Sequence, residues 1–403
     1  MKKSVDPKNT GAARKQKPHA WGDHAVVPAV VIGGGVMGAL TALTLAHLNH
    51  EVVWFGPEEK TRADGADHRN YALAPLTVEL LKRLGVWSSL TDKSCKVTRM
   101  EVTTADERVD LSATDAGTEF LSMMVVHQDL LSALETAVQF RPQIHRVKES
   151  PDRIDYTPDH AVIHYDQKSI TAQLVIGADG ARSWVRQQAR ILWGQKDYEQ
   201  RAIVAAFQTE HPHANVAAQW FLPNGILALL PLSDEHQTSI VWSTSEHVHS
   251  DPASEAQLAE KISQMSHHRF GNLSLIGPVV SAPLKMLVTE SQTALRTVLL
   301  GDAAHTVHPL AGYGLNLGVQ DLLALEAICQ DHPEDLGANM NVARYEKARH
   351  QRVRRVQGAL DLLQRLVTES HPVFGRIRQV GMRLVSTIGP LRQFLIRQAI
   401  SPQ

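Results

Sequence analysis

The sequence predicts a mixed α/β (α+β) fold in which a parallel α/β unit is interleaved with an antiparallel sheet and followed by helices. Three observations predict it. A glycine-rich turn lies between a short apolar run and a helical pattern near the start of the chain. Two further apolar runs, Leu174 to Ile176 and Thr297 to Leu300, each lead into a turn that carries an aspartate. From Arg201 to Ser245, strand-like runs follow one another without a helical pattern between them, which is typical of an antiparallel sheet.

Composition limits the classes of protein that the chain can belong to. Its 403 residues are enough for two closely joined domains. A formal net charge of -1 gives no general attraction to nucleic acid, so no nucleic-acid partner is expected. Cys95 and Cys329 are the only cysteines, which excludes a disulfide framework and a cysteine-rich metal site. The sequence therefore predicts a cytoplasmic protein with no metal site.

The start of the chain allows two interpretations. Residues 1–26 contain six lysines and arginines before residue 18 and are predicted to form a disordered basic tail. The uncharged run from Ala25 to Ala46 resembles a signal anchor in length. Pro28 and three successive glycines interrupt that run, and they favour a soluble βαβ unit over a membrane span.

The first glycine-rich turn is a dinucleotide-binding fingerprint in its expected context. Gly33, Gly35 and Gly38 have the G-x-G-x-x-G spacing, between a strand at Ala29 to Ile32 and a helix at Ala39 to Leu48. A second strand follows at Glu51 to Phe55. Such glycines allow a tight turn, close approach of a diphosphate, and packing of helix on strand. The segment therefore predicts a Rossmann-like nucleotide-binding unit.

One part of the fingerprint is missing. An acidic residue is expected to end the second strand and to hold the adenosine ribose, but the sequence has Gly56 there. Two glutamates follow Pro57, at positions 58 and 59. They either reach back to the ribose or are simply solvated after the turn, and the sequence leaves both interpretations open.

Two later turns place polar groups at the ends of buried strands, where ligands collect in an open α/β sheet. The first carries Asp179 and Gly180, for which a plain Asp-Gly turn is the alternative. The second runs from Gly301 to Gly318 and has Asp302 where the strand ends. In that turn, Pro309 stiffens the backbone, Gly312 and Gly314 allow close approach of a ligand, and Asn316 is predicted to open a helix with free amide groups. His305 and His308 are interpreted as packed histidines.

The predicted domain organisation is discontinuous. The nucleotide-binding domain comprises residues 27–110, 125–190 and 290–340, and residues 191–289 form an antiparallel-sheet substrate domain. Residues 341–403 are predicted C-terminal helices. From Arg376 onward the sequence has five arginines and no acid, interleaved with apolar residues. Such a segment either lies on an anionic membrane surface or packs its apolar face on the body of the protein.

Three ordered motifs together resemble a known family. GGGVMG, GADG and GDAAHTVHPLAGYGLNLG, with the antiparallel block between the second and third, resemble the flavin-dependent aromatic hydroxylases of the para-hydroxybenzoate hydroxylase fold. RNYALAPLTVELLKRLGVW and HPLAGYGLNLG are most similar to the ubiquinone-biosynthesis hydroxylases. The resemblance implies a monooxygenase that binds FAD, uses NAD(P)H and O2, and hydroxylates the ring of a polyprenylated phenol through a flavin hydroperoxide.

The resemblance also implies roles for individual residues. The three fingerprint glycines hold the FAD diphosphate with help from Arg69, and Asp302 binds the ribityl chain. The other cofactor contacts that it implies are Gln128, Asp179, Gly180, Pro309, Gly312, Gly314, Leu315 and Asn316. No catalytic side chain is assigned, because the chemistry belongs to the flavin; Pro309 and Tyr313 are candidates for the pocket wall. The sequence departs from the family at Gly56 and at Tyr313, where glutamine is common.

Partners and rival functions follow from the same resemblance. A polyprenyl phenol substrate implies peripheral contact with the inner membrane face, and membership of a quinone-biosynthesis complex. A flavin halogenase is disfavoured because the W-x-W-x-I-P signature is absent from the sequence. A flavin reductase of isoprenoids remains a rival, and so does a catalytically degenerate scaffold protein, which the glycine at position 56 motivates.

Overall fold

The computed structural model describes residues 26–56, 69–104, 107–223, 225–246, 252–308 and 312–368. The basic tail up to residue 25, Glu58, Glu59, Pro309 and the arginine-rich segment from Arg376 lie outside these residues. In chain order, the strands are β1 Val26–Ile32, β2 Val52–Phe55, β3 Asn70–Leu73, β4 Ser94–Val97, β5 Arg99–Thr103, β6 Arg108–Ser112, β7 Ser122–Val126, β8 Ile144–Val147, β9 Arg153–Tyr156, β10 Ala161–Tyr165, β11 Lys168–Gly177, β12 Trp193–Thr209, β13 Val216–Leu222, β14 Gly225–Pro231, β15 Gln237–Thr244, β16 Leu273–Thr289, β17 Thr293–Ala294 and β18 Thr297–Leu299. The helices are α1 Val36–His47, α2 Pro75–Arg83, α3 Ala113–Ala116, α4 His127–Gln139, α5 Trp184–Gln188, α6 Pro252–Met265, α7 Tyr313–Asp331 and α8 Asn339–Thr368.

The first sheet is the predicted parallel unit. Its parallel strands lie in the order β8, β2, β1, β11, β18, with β17 antiparallel at one edge and the β9–β10 hairpin paired to β11. The run that resembles a signal anchor is divided between β1 and α1 by the glycine turn. Among the described helices, none combines the length and apolar composition needed to cross a bilayer. The predicted α/β fold class is confirmed.

The register of this sheet brings the predicted motifs to one edge. Ile32 is paired with both Gly177 and Phe55, and Gly177 is paired with Leu299. Each of these residues is the last of its strand. The three predicted turns therefore begin at the same edge of the sheet, beside the end of β2. Apolar side chains cover both faces of these strands, as expected for a parallel sheet that is packed on both sides. The strand ends are therefore held in a rigid frame.

The second sheet contains strands from the range 191–289, for which an antiparallel-sheet substrate domain is predicted. Its order is β16, β12, β15, β14, β13, β5, β6, and α6 packs on it through Leu258 and Ile262. The pairing is antiparallel except between β5 and β13. Strands β5 and β6 belong to the range 27–110 that the sequence analysis placed in the nucleotide-binding domain, and here they pair with this sheet.

The last two helices brace the first sheet. α7 lies against α1 and α8, and its apolar residues join the core on the α1 side of the sheet. Tyr345 of α8 is fully buried and donates its hydroxyl hydrogen bond to the carbonyl of Leu299, 3.0 Å away. A residue far along the chain therefore fixes the strand that precedes Asp302.

Candidate functional site

A cleft of about 620 Å³ opens where the strands of the first sheet end. Its volume is within the range of small-molecule and cofactor sites. The predicted site residues that line it are Gly33, Gly35, Arg69, Asp179, Gly180, Asp302, Gly314 and Leu315. Those that the structure describes but does not place on the cleft wall are Gly38, Gln128, Gly312, Tyr313 and Asn316. The chain thus brings most of the predicted positions together from four separate segments.

The glycine turn is shaped by its own backbone and by the neighbouring strand. Gly33 has a φ of +142°, and a Cβ there would lie 2.2 Å from the carbonyl oxygen of Ala178. A Cβ at Gly38 would lie 1.8 Å from the carbonyl oxygen of Gly33. Both positions therefore require glycine for protein packing alone. Gly35 differs, because a Cβ there would meet nothing within 4 Å.

The open space at Gly35 lies at the start of a helix. Gly35 is the N-cap of α1, and no side chain caps the helix there. The first amide groups of α1 have no partner within the helix, and they carry the positive end of its dipole. Since no described residue fills the space beside Gly35, a ligand phosphate can approach these amides closely.

One carboxylate oxygen of Asp179 is hydrogen-bonded within the fold, and the other has no partner among the described residues. Its Oδ2 accepts hydrogen bonds from the amides of Trp184 at 2.7 Å and Val185 at 3.0 Å, which fixes the start of α5. Its Oδ1 is buried without a hydrogen-bond partner among the described residues. The next residue, Gly180, has a φ of +79° and no protein atom within 4 Å of a Cβ position. The plain Asp-Gly turn is therefore present, and it carries an unused acceptor at the cleft.

Arg186 anchors this turn to the third motif, a role that sequence reasoning missed. The side chain is 1% exposed and donates hydrogen bonds to the carbonyls of Ala303 at 2.7 Å and Ala181 at 2.9 Å. Its guanidinium carbon lies 4.7 Å from the centroid of the Trp193 ring. A buried arginine between two turns ties them together, because each carbonyl would otherwise lack a partner. The only signal in the sequence was its place at the end of the predicted turn segment.

Asp302 is held at the cleft by a buried ionic cluster beneath it. Asp302 is exposed to the cleft, and the surrounding protein raises the pKa of its carboxyl while the charge of His305 opposes that shift. Below it, Asp321 is fully buried and accepts hydrogen bonds from the amide of Gly301 at 3.0 Å, from Nε2 of His305 at 2.6 Å and from Nε of Arg349 at 2.8 Å. Gly301 has a φ of +56°, which glycine adopts without strain. The cluster fixes this turn, and it gives His305 the structural role predicted for it.

The helix after the third motif begins earlier than predicted. The sequence indicated a start at Asn316, but α7 begins at Tyr313, with Gly312 as its N-cap at a φ of +63°. The first-turn amides that have no partner within the helix therefore include those of Gly314 and Leu315. The side chain of Asn316 is 7% exposed, and its carboxamide accepts from the amide of Ala74 at 2.9 Å and from Thr77 at 2.8 Å. Asn316 thus joins α7 to the start of α2, and the two residues before it, Gly314 and Leu315, line the cleft.

The other predicted polar contact lies beside the cleft. Gln128 is exposed on the first turn of α4, whereas its neighbour His127 is 4% exposed and lines the cleft. Nδ1 of His127 lies 2.9 Å from the hydroxyl of Tyr71, which also lines the cleft. The sequence held a signal for this pair, since His127 directly follows the buried strand β7.

His308 faces the antiparallel sheet. Its ring is 2% exposed and packs edge-on against Tyr198 of β12, with the ring centroids 5.2 Å apart. Neither ring nitrogen has a hydrogen-bond partner among the described residues. Burial lowers the pKa of His308 to about 4, so the imidazole is neutral at physiological pH. The histidine is packed, as predicted, but its polar atoms are unused.

Known proteins resemble this chain over most of its length. The family model described as FAD binding domain matches residues 26–359. The chain is 30% identical to the ubiquinone hydroxylase UbiL of Rhodospirillum rubrum over 98% of its own length and 95% of that protein. It is also 30% identical to the 3-demethoxyubiquinol 3-hydroxylase of Escherichia coli, over 92% of this chain and 97% of that protein.

Solved structures share the fold at lower identity. The p-nitrophenol 4-monooxygenase PnpA from Pseudomonas putida DLL-E4 superposes with a TM-score of 0.79 at 17% identity, covering 93% of this chain and 98% of that one. The flavin-dependent monooxygenase PieE, solved in complex with FAD and substrate, gives a TM-score of 0.69 at 18% identity, covering 94% of this chain and 72% of that one.

Proposed function

Since the chain belongs to the FAD binding domain family and is an FAD-dependent monooxygenase, we propose that it hydroxylates the aromatic ring of a polyprenylated phenol in ubiquinone biosynthesis. The proposed overall reaction takes a ring C–H, O2, NAD(P)H and a proton to a ring C–OH, water and NAD(P)+. Two full-length relatives named as ubiquinone-pathway hydroxylases support it. The observation that carries it is the cleft at which Gly33, Gly35, Asp179 and Asp302 meet.

The residues of the cleft fit FAD. Gly35 leaves open space beside the free amides of α1, which suits the diphosphate. Asp302 is proposed to hold a ribityl hydroxyl, and the unused Oδ1 of Asp179 is a second acceptor on the same wall. When bound, FAD supplies hydride acceptance from a nicotinamide and the activation of oxygen. The protein supplies position, exclusion of water and the local electric field.

The first turn of α7 contributes to that field. Its amides at Gly314 and Leu315, which line the cleft, lie at the positive end of a 19-residue helix. We assign these amides to the pyrimidine edge of the isoalloxazine ring, where negative charge develops on reduction. Gly314 suits this position because a Cβ there would meet no atom of another described residue within 4 Å, its own helix backbone and its chain neighbours aside. Pro309 and Tyr313 remain proposed parts of the pocket wall.

The nicotinamide is proposed to visit transiently. The sequence contains only one complete G-x-G-x-x-G fingerprint in a strand–turn–helix context, and the proposed FAD site uses it. Asp179 and Gly180, of the second motif, line the same cleft, and we propose that they serve the nicotinamide donor as well as FAD.

A lipid substrate gives a role to the charge on α8. The exposed cations of this helix are Arg344, Lys347, Arg352, Arg354, Arg355 and Arg365. Its two acids are engaged within the fold: Glu346 accepts from the amide of Gln292, and Asp361 pairs with Lys196. We propose that this face, with the basic segment that follows it in the sequence, makes peripheral contact with the inner membrane face, and that the protein acts within a quinone-biosynthesis complex.

Purification followed by turnover tests the enzymatic proposal. We expect a yellow protein whose oxidation of NAD(P)H rises on addition of a prenylated phenol, and a product that carries 18O when the gas is 18O2. Oxidation of NAD(P)H that no phenolic ring stimulates would refute hydroxylation. A colourless protein that cannot be reconstituted with FAD would favour the degenerate scaffold. The quinone precursor that accumulates in cells lacking the protein identifies the ring position.

Vesicle sedimentation tests the membrane contact separately. Replacing Arg352, Arg354 and Arg355 with glutamate should abolish binding to vesicles that contain anionic lipid and leave flavin content unchanged. The matched control reverses three exposed cations elsewhere, Lys93, Arg153 and Lys168. Equal loss of binding in both triple variants would show that only net charge matters and would reject α8 as the contact.

A further inference from the structure

The end of β2 departs from the usual pattern of a dinucleotide-binding unit. In a dinucleotide-binding unit, an acid at this position usually accepts hydrogen bonds from the adenosine ribose. Here the position is Gly56, whose amide donates to the carbonyl of Val147 at 3.1 Å. Phe55, the residue before it, lines the cleft. A different group must therefore serve the ribose, or none does.

The space for an acidic side chain is already occupied. A Cβ at Gly56 would lie 2.6 Å from Cε2 and 2.8 Å from Cζ2 of Trp54. Trp54 is fully buried, and its Nε1 donates to the carbonyl of Gly33 at 2.8 Å. The indole therefore supports the glycine turn from beneath and excludes a side chain at position 56.

Arg146 lies directly beside this pair. It is the register partner of Trp54 in the parallel pairing of β2 with β8, and its guanidinium carbon is 4.5 Å from the centroid of the Trp54 ring. Its Nε donates to the carbonyl of Gly56 at 3.1 Å, and its Nη2 donates to Oε1 of Glu135 at 2.8 Å. These contacts fix the plane of the guanidinium at the end of β2.

One side of this arginine is unused. Nη1 of Arg146 makes no hydrogen bond to any described residue, although the side chain is only 22% exposed. Arginine has five N–H donors, and three contacts already orient this one. A ribose hydroxyl accepts a hydrogen bond as readily as it donates one, so a cation can replace a carboxylate as its partner.

We propose that Arg146 holds the adenosine ribose of FAD, with Trp54 and Glu135 as positioning residues, in place of the acid that Gly56 lacks. The inference rests on the proposed FAD site. In this proposal, the protein side chain donates a hydrogen bond to the ribose, whereas the usual carboxylate accepts one. It also accounts for the glycine at position 56, because the indole that orients the arginine needs the space.

A comparison of two flavins tests the contact directly. The probes are FAD and its analogue whose adenosine ribose lacks both hydroxyls, titrated into the apoprotein by flavin fluorescence. Arg146→Met is the test variant, because it keeps an unbranched side chain on the Trp54 ring. Wild type should bind the analogue about tenfold more weakly than FAD, as expected for a lost charge-assisted hydrogen bond. Arg146→Met should bind the two flavins within about twofold of each other.

Controls separate this result from loss of structure and from failure of the proposed function. Arg153→Met removes an exposed arginine of β9 and should discriminate between the flavins as wild type does. Arg146→Lys should recover part of the discrimination. If wild type binds both flavins equally, or if Arg146→Met still discriminates fully, the inference is wrong while the FAD site stands. A wild-type protein that binds neither flavin would refute the proposed function itself.

Discussion

The two ends of the cleft are built in different ways. At the glycine turn, backbone packs on backbone: the closest atoms to a Cβ at Gly33 or Gly38 are main-chain carbonyls of Ala178 and of Gly33 itself. At the Asp302 end, buried side chains from distant segments hold the turn in place, chiefly Asp321 and Arg349. The first end depends on the absence of side chains, and the second depends on a network of them. The two ends should therefore fail in different ways when they are mutated.

The largest effect is expected at the buried ionic cluster. Asp321→Asn leaves Arg349, which is 3% exposed, without its charge partner. Breaking such a pair should lower the free energy of unfolding by about 3–5 kcal/mol. Urea denaturation at pH 7 measures it, with Asp129→Asn as control, because the Asp129–Lys93 pair is largely exposed and should contribute less than about 1 kcal/mol. Equal losses in the two variants would contradict the assigned role of the cluster.

The pH dependence of stability gives the cluster a second signature. Burial alone would raise the pKa of Asp321, but His305, Arg349 and the amide of Gly301 outweigh it, and the pKa is lowered. The stabilisation is then present above the pKa of the unfolded carboxyl and is lost as the pH falls through the folded value. Asp321→Asn should therefore flatten the acid limb of the stability curve.

The glycine end should separate folding from binding. Gly38→Ala places a Cβ 1.8 Å from a backbone carbonyl, so we expect a loss of about 3 kcal/mol, near the upper end for overpacking. Gly35→Ala meets no protein atom within 4 Å and should keep wild-type stability while losing FAD affinity. Thermal melts of the apoproteins and flavin titration measure the two effects. If Gly35→Ala binds FAD normally, the diphosphate does not lie beside that residue.

The same contrast explains how far the sequence could predict the structure. The spacing of Gly33, Gly35 and Gly38 is a local pattern, and the strand, turn and helix around it are present as predicted. The start of α7 was predicted three residues late, because the positive φ that makes Gly312 an N-cap leaves no trace in hydrophobic periodicity. The contacts of Asp321 with His305 and Arg349 span 16 and 28 residues, and no spacing rule predicts such pairs.

A smaller effect is expected at Asp302 itself, which the network positions. Its side chain makes no hydrogen bond to any described residue, so Asp302→Asn should leave apoprotein stability unchanged. FAD binding should weaken by about 1–1.5 kcal/mol, because the carboxamide keeps an acceptor oxygen and loses only the charge that strengthens the hydrogen bond. Flavin titration measures it, with Asp159→Asn, an exposed aspartate, as control. Unchanged FAD affinity would refute the ribityl assignment and leave the far end of the cleft with a purely structural carboxylate.

The smallest effect is expected at Tyr313, which begins α7. Burial raises the pKa of Tyr313 from 10.0 to about 12. The tyrosine hydroxyl therefore loses its proton at a lower pH in the unfolded chain than in the folded protein. This contribution to stability is therefore fully present below pH 10 and falls as the pH rises toward 12, with a cost below about 1 kcal/mol at pH 11, because solvent screens this partly exposed side chain. Tyr313→Phe should lose less stability than wild type between about pH 9 and about pH 11. Denaturant titration at these two pH values measures the free energy of unfolding. Gly35→Ala should keep the wild-type alkaline loss, because the glycine turn contains no tyrosine. An unchanged alkaline limb in Tyr313→Phe would contradict the burial of this hydroxyl and would mean that the start of α7 is open to solvent.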